Sequence, residues 1–353
     1  MFRALTIKRG RPEIAPSALD GTSLEKGGTM RAMGAAAVAL LFGLVIGTAA
    51  TVHAQDYPNR VVKFMQGFPP GGNVDIIARL VGNEMSKSLG QPIVVEAKPG
   101  QAGALAAETV ARSPADGYTL LVLPSTHPTQ AALAKNLKYR AVEDFDWIST
   151  FTFYPFLIVV RRDSRFQTLK QLIDEARAKP GVLTYGSAGV GSTLHMTVEL
   201  LGNMSKVKFQ HVPYRGEAPS VTGLLTGDTD FLAATAGPIG DRIRSGELRG
   251  LAVTSRERWP GLMMVPTVRE AGFPDFEVIS WTGLTGPAGL SKPVLDRLNA
   301  EVRRAVATPG VKDKLEAMGG EARATTPDEM RALVASQLAT WTRLAREAHI
   351  SLD

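Results

Sequence analysis

From Tyr57 onward the chain alternates short apolar runs with stretches whose apolar residues recur at helical spacing. That alternation predicts βα units built on a mainly parallel sheet. Val61 to Gln66 reads as a strand. After Phe68-Pro69-Pro70-Gly71-Gly72 come Val74, Ile77, Ala78, Val81, Met85 and Leu89, the buried face of a helix. Ile93–Glu96 and Tyr118–Leu123 read as two further strands with a helix over Leu105–Arg112 between them. The turn Pro114-Ala115-Asp116-Gly117 announces the second of these strands. Leu157–Val160 is another continuous apolar run.

The same grammar then restarts. Thr168 and Gln171 have the spacing of a capping box at the start of a helix over Leu169–Ala178. Leu183–Tyr185, Phe209–Val212, Phe231–Ala234, Gly250–Thr254 and Val278–Leu284 read as strands, with a helix over Ser192–Asn203 among them. The tail is helical: Pro293–Ala307, then a helix opened by Thr326-Pro327-Asp328-Glu329, a capping box with Pro at the first helical position. Two α/β series separated by apolar strands predict two lobes joined by crossover segments, placed near Leu157–Arg161 and Val278–Thr282. Residues 55–160 would then begin the first lobe, 161–279 form the second, and 280–353 return to the first with the C-terminal helices. A length of 353 residues suits two such lobes better than one core.

Residues 1–54 stand outside this pattern. Met1–Thr29 is polar and aperiodic, and Met30-Arg31 precedes a mostly apolar run from Ala32 to Val52 that ends in Val52-His53-Ala54. A basic residue, an apolar stretch and small side chains at the end predict a secretory signal peptide, with Met30 as the start and Gln55 as the first mature residue. The competing reading is a transmembrane anchor, because the run nearly matches a bilayer. The cleavage-type ending favours removal. Cysteine is absent from the chain, so neither a disulfide framework nor a thiolate site or nucleophile is available.

The net charge of +6 is about halved once residues 1–54, with six Lys/Arg against three Asp/Glu, are set aside. There is no basic run, and aromatic residues make up 7%, so a nucleic-acid partner is not expected. Enzyme motifs are missing as well: no G-x-S-x-G elbow, phosphate-binding loop with G-K-[ST], H-E-x-x-H or G-x-G-x-x-G occurs. Of five histidines, no two are placed with a carboxylate at metal-ligand spacing on one helix. The expectation is a protein without catalytic residues, metal or cofactor.

What the sequence does offer is glycine-rich turns between strands and helices. Phe68, Pro69, Pro70, Gly71 and Gly72 form one. Glycine allows close backbone approach, and the free N–H groups of a helix start favour an anion. Gly186-Ser187-Ala188-Gly189-Val190-Gly191-Ser192 occupies the equivalent position in the second series, with Ser192 placed to cap a helix and Ser187 to bond a ligand oxygen. Each loop alone is equally consistent with tight α/β turn chemistry. Their pairing in two lobes points to a two-handed grip on a carboxylate. Asp75, in the first helical turn, suits the helix dipole and is also a candidate site residue. His195 is either a ligand contact or a supporting ring. Ser125-Thr126-His127 and Thr235 follow strand ends, where α/β clefts take ligands. Tyr214, Arg215 and Gly216 follow another, with Arg215 either a carboxylate partner or an exposed arginine without a partner.

These motifs, taken in order, resemble the extracytoplasmic receptors of tripartite tricarboxylate transporters, the Bug family. The carriers are Phe68–Gly72 with Asp75, Pro114-Ala115-Asp116-Gly117-Tyr118-Thr119-Leu120-Leu121, and Tyr185–Ser192 with His195. His211-Val212-Pro213-Tyr214-Arg215-Gly216 and Val265-Pro266-Thr267-Val268 complete the set. The resemblance implies a type II periplasmic-binding-protein fold: two α/β lobes, two crossover strands and closure like a Venus flytrap. It also implies a small carboxylate held by backbone amides and waters of Phe68–Gly72, completed by Ser187–Ser192. The partner it implies is a membrane permease; a sensor kinase's extracytoplasmic domain is the alternative partner. One departure stands out. Where the family has a stretch of the kind Glu-Asn-x-Pro-Gly-Ala-Gly-Gly, this chain reads Glu96-Ala97-Lys98-Pro99-Gly100-Gln101-Ala102-Gly103.

Overall fold

The computed structural model describes residues 57–351, so the expected signal peptide and its cleavage point lie outside the described residues. Ten strands form one curled sheet in the order β2-β1-β3-β9-β4-β7-β5-β6, with β8 and β10 pairing on β4. In the first half β1 (Val62–Gln66) lies between β2 (Ile93–Ala97) and β3 (Thr119–Pro124), parallel to both. The helices α1 (Asn73–Leu89), α2 (Ala104–Ala111) and α3 (Thr126–Leu133) follow these three strands. In the second half β5 (Thr184–Ser187) is parallel to β6 (Gln210–Pro213) and β7 (Phe231–Thr235). Here α4 (Leu169–Ala178) precedes β5, while α5 (Thr193–Ser205), α6 (Glu217–Thr226) and α7 (Ala236–Arg244) follow β5, β6 and β7. β8 (Leu248–Val253) closes that half.

The joint between the halves is β4 (Phe145–Arg161), whose residues up to Pro155 pair with β9 (Ile279–Pro287). From Phe156 to Arg161 the same strand pairs with β7 and β8. The partner change therefore falls between Pro155 and Phe156, just ahead of the apolar run Leu157–Val160. Proline suits such a place because it cannot donate to a central ladder. The front of β4 was hard to read as strand because Ser149, Thr150 and Thr152 interrupt its apolar run, yet all three are buried. Two of them are matched: Ser149 Oγ donates to Thr325 O at 2.9 Å and Thr150 Oγ1 to Arg323 O at 2.8 Å.

β10 (Glu321–Ala322) lies beyond α8 (Lys292–Ala307) and α9 (Pro309–Ala317), and the chain finishes in α10 (Pro327–Glu347). The expected capping box at Thr326 and Glu329 is present in both directions. α10 differs from the expected return to the first lobe alone. Its Met330 and Val334 join the first-half core with Leu121, Trp147 and Trp281, whereas Trp341, Leu344 and Ala345 join the second-half core with Met196 and Leu201. Gln337 fastens the middle of the helix, accepting from Trp281 Nε1 at 2.9 Å and donating to Ile279 O at 3.0 Å. One amphipathic helix thus spans both lobes and braces β9.

Candidate functional site

The parallel strands β1, β3, β5, β6 and β7 each run directly into a helix, so their C-terminal ends carry five turns with helix N-termini. Helix α3 of the first half meets α5 of the second at the pair Thr129 Oγ1 and Thr193 Oγ1, 3.5 Å apart.

The turn after β1 is held from both sides. Gln66 Oε1 accepts the Phe68 N–H at 2.7 Å, and Asp75 Oδ2 accepts the Gly71 N–H at 3.0 Å. Asp75 is buried, and Arg79 donates to both its oxygens at 2.9 and 3.1 Å. These Arg79 bonds hold its carboxyl below the usual carboxylate range, against the opposing effect of burial. The carboxylate is therefore occupied with its own turn, and its work is to shape it. Gly71 has φ +80°, a conformation that favours glycine, while Gly72 is an N-cap with φ −75° that other residues adopt readily. Pro69 and Pro70 lie exposed on the turn. The N–H groups of Asn73 and Val74, in the first turn of α1, have no intrahelical acceptor.

Behind this turn lies the segment Gly100–Gly103. A Cβ on Gly67 would sit 2.3 Å from Gly103 Cα, and one on Gly103 would touch the Phe68 ring at 3.4 Å, so the two segments are packed backbone to backbone. Gln101 (φ 48°) and Ala102 (φ 50°) both occupy the left-handed region, although neither is glycine. That region costs an L-residue about 1–2 kcal/mol, offset in part by the about 0.5–1 kcal/mol of chain entropy a glycine would lose. Ala102 is exposed and free to change. Ala102→Gly is expected to stabilise the protein by about 0.5–1 kcal/mol in urea unfolding; a destabilised variant would show that the left-handed turn carries no strain.

Ser125 closes β3: its N–H donates to Trp281 O at 2.9 Å and its Oγ lies 2.9 Å from Ser280 Oγ. Both bonds tie the turn to β9. Thr126 lines a cavity of about 10 Å³ with Phe68, Gly103, His127 and Tyr139. Its hydroxyl is buried and has no partner among the described residues. His127 is fully engaged elsewhere, its Nε2 2.8 Å from Ala141 O, and burial lowers its pKa to about 4.

In the second half Ser187 is buried, and its hydroxyl is surrounded by its own loop. Gly189 N–H donates to Ser187 Oγ at 3.1 Å, Gly189 O lies 3.1 Å away, and His211 Nε2 lies 2.6 Å away. Ser192 caps α5 as expected, its Oγ accepting from His195 N–H at 3.2 Å. Ala188 and Gly189 form the half-buried crest of the loop, with Gly189 at φ 121°. His195 is buried, and its Nδ1 accepts the Gly191 N–H at 3.1 Å. The Thr193 and Leu194 N–H groups at the start of α5 have no intrahelical acceptor.

The loop after β6 leans on this one: Tyr214 N–H donates to Ser187 O at 3.1 Å. Gly216 is the N-cap of α6 with φ 117°, and Arg215 is exposed with no ion pair among the described residues. Thr235, the N-cap of α7, gives both its N–H (2.6 Å) and its hydroxyl proton (2.8 Å) to Glu217. Burial raises the Glu217 pKa, which the two Thr235 bonds oppose. Thr235 is left with acceptor capacity only.

The sequence reading missed three residues that build these turns: Gln66, His211 and Glu217. Gln66 and His211 lie within strands, where a polar residue reads as outward-facing. Glu217 stands directly after Gly216, and its spacing gives no hint that it reaches the end of β7. Among the described residues, no group of His, Cys, Asp or Glu is arranged to hold a metal ion.

Two α/β halves joined by a shared strand, with turns and helix starts lining the strand ends, define a two-lobed binding protein of the periplasmic type. A family model for the tripartite tricarboxylate transporter family receptor matches residues 77–350, and the chain belongs to that family. The fold is shared with an R. palustris protein solved with adipate, 32% identical with a TM-score of 0.72 over 84% of this chain and 99% of the other. MatC of Rhodopseudomonas palustris, solved with malate, is 32% identical with a TM-score of 0.69 over 82% and 99%. The periplasmic binding protein BugD is 30% identical with a TM-score of 0.69 over 84% and 99%. Members of this family are periplasmic solute receptors and not enzymes.

Proposed function

We propose that this protein is an exported receptor that binds a small carboxylate between its lobes and delivers it to a tripartite tricarboxylate-type membrane permease. The lobes divide at the partner change of β4, Pro155–Phe156, and at Val278–Ile279, where the Val278 N–H still bonds Thr254 O of the second half. The observation that carries the reading is the matched pair of turns. Phe68–Gly72 and Ser187–Ser192 each end a parallel strand, and each presents unpaired helix-start N–H groups suited to a carboxylate. Closure follows from the ligand's differential affinity for the form in which both turns touch it.

A thermal-shift screen of the purified protein against mono-, di- and tricarboxylates, with malate and adipate as reference acids, tests this. A raised midpoint with at least one acid is expected, and no shift with any would sink the reading. Co-precipitation from membranes, with and without that acid, then separates a permease partner from a sensor kinase.

Arg215 and Ser187 differ in what their loss should do. Arg215→Ala is expected to cost within about 1 kcal/mol of binding, as for an exposed charge. Ser187→Ala should cost about 0.5–1.5 kcal/mol, the net worth of one hydrogen bond, exerted through the loop it supports. Calorimetric titration decides. A loss of about 2–5 kcal/mol at Arg215 beside a silent Ser187 would move the anion grip to the Tyr214–Gly216 turn.

A further inference from the structure

Beneath the second glycine loop lies a stack of rings that the binding reading does not use. His195 and His211 are parallel at 4.0 Å between centroids, and Tyr185 stacks on His211 at 4.9 Å. Tyr185 and His211 are register partners on adjacent strands, β5 and β6, and His195 projects from the first turn of α5. Three elements thus meet at one stack. Each imidazole also holds a different point of the loop: His195 Nδ1 accepts the Gly191 N–H, and His211 Nε2 bonds Ser187 Oγ.

The hydrogen bonds of His195 fix its ring proton. Because His195 Nδ1 is an acceptor, its ring proton sits on Nε2, which points toward Glu199 Oε1 at 3.9 Å. Ser187 Oγ accepts the Gly189 N–H, and its single proton has two acceptors within reach, Gly189 O at 3.1 Å and His211 Nε2 at 2.6 Å. With that proton on Gly189 O, His211 Nε2 is the donor of the 2.6 Å bond. We propose that His195 and His211 are positioning residues for the ligand grip. In their Nε2–H tautomers they pin Gly191 and Ser187, and so hold the loop in the form that leaves the Thr193 and Leu194 N–H groups for the carboxylate. The role in binding rests on the cleft reading above.

The surroundings favour uncharged rings. Glu199 Oε1 lies 3.9 Å from His195 Nε2; burial raises its pKa, and the Tyr185 hydroxyl donates to it. On the packed neighbours, Asp230 beside β7 is bonded to Thr184, Glu347 of α10 to Asn203, and His127 of α3 to Ala141 O. Lys206 and Lys208, leading into β6, are exposed. Burial lowers the pKa of His195 to about 3, with help from His211, and that of His211 to about 4. The sign follows: between about 4 and the ordinary 6.5 the unfolded chain binds protons that the folded pair refuses. The pair's contribution to stability is therefore whole at neutral pH and declines as pH falls through that window. The loop itself keeps its form until the folded rings protonate.

The test uses the mature protein with histidine labelled in its ring nitrogens. Long-range proton–nitrogen spectra at pH 7 should show the Nε2–H tautomer for both residues, titrating with midpoints near the two values above. A Nδ1–H form in either ring, or a midpoint near 6.5, would overturn the proposal without any ligand being present. His211→Leu should move the Ala188–Gly191 amide resonances and weaken malate or adipate binding about tenfold, about 1.4 kcal/mol. His211→Gln places a donor at the Nε2 position and should restore both. Unmoved amides in His211→Leu, or equal losses in the two variants, would remove the positioning role. If no acid of the carboxylate screen binds the wild-type protein, the cleft reading fails, while the tautomers and loop amides still decide the arrangement of the pair.

Discussion

Replacing Trp341 with alanine is expected to destabilise the protein by about 3–5 kcal/mol, the range for truncating a buried tryptophan. The residue is 2% exposed and lies at the far end of α10, in the second-lobe core, while the near end of the same helix sits in the first. The cavity would thus open where the helix ties the lobes together. Trp341→Phe is the informative control. The indole N–H is buried without an acceptor among the described residues, so phenylalanine removes an unmatched donor as well as some volume. Its expected cost is under about 1.5 kcal/mol, as for a volume-conserving exchange. Urea unfolding followed by both fluorescence and circular dichroism measures the difference and checks that the lobes unfold together. A Trp341→Ala loss below about 1 kcal/mol would mean that the end of α10 is not part of the second core.

That helix also marks a limit of reading the chain by pattern. Its start was legible because a capping box is local: Thr326, Pro327 and Glu329 are neighbours in sequence. Its destination was not, because apolar periodicity says which face is buried and nothing about which core receives it. The same distinction runs through the site. Gly71 and Ser192 could be identified because a left-handed turn and an N-cap are short-range requirements that few residue types meet. His211 and Glu217 act across tertiary contacts, one under the loop of a neighbouring strand and the other at the end of β7, eighteen residues ahead. Asp75 lies between these cases. Its place in the first helical turn was visible, but its bonds to Gly71 and Arg79, which turn it inward, were not.

The front of β4 shows how a buried polar residue misleads. Ser149, Thr150 and Thr152 look like exposed positions, but in β4 two of them satisfy the backbone of residues 323–325, a segment far away in sequence. A hydroxyl with a matched partner can be buried at small net cost. Pattern reading has no access to the partner, so it recognises only the apolar run Leu157–Val160 and none of the strand before Pro155.

Gly71→Val should lower affinity for the bound carboxylate about tenfold or more, about 1.4 kcal/mol or greater, in a protein that still folds. The cause would be backbone conformation. A Cβ added at Gly71 meets nothing within 4 Å, so crowding at that atom is not the cause. The φ of +80° is the difficulty, since a β-branched residue held there costs on the order of 1–3 kcal/mol. The turn is expected to relax by swinging Gly71 out of the left-handed region, which breaks its 3.0 Å bond to Asp75 and moves the helix-start amides. Gly72→Ala is the matched comparison. Its φ of −75° suits alanine, and the new Cβ would lie 3.3 Å from Pro69 O, a tight contact that a small shift relieves. Affinity should change by less than about threefold, under about 0.7 kcal/mol. Calorimetry on both variants separates conformation from bulk. Equal losses would mean that any side chain on this turn obstructs the ligand, and no loss in either would take Phe68–Gly72 out of the site.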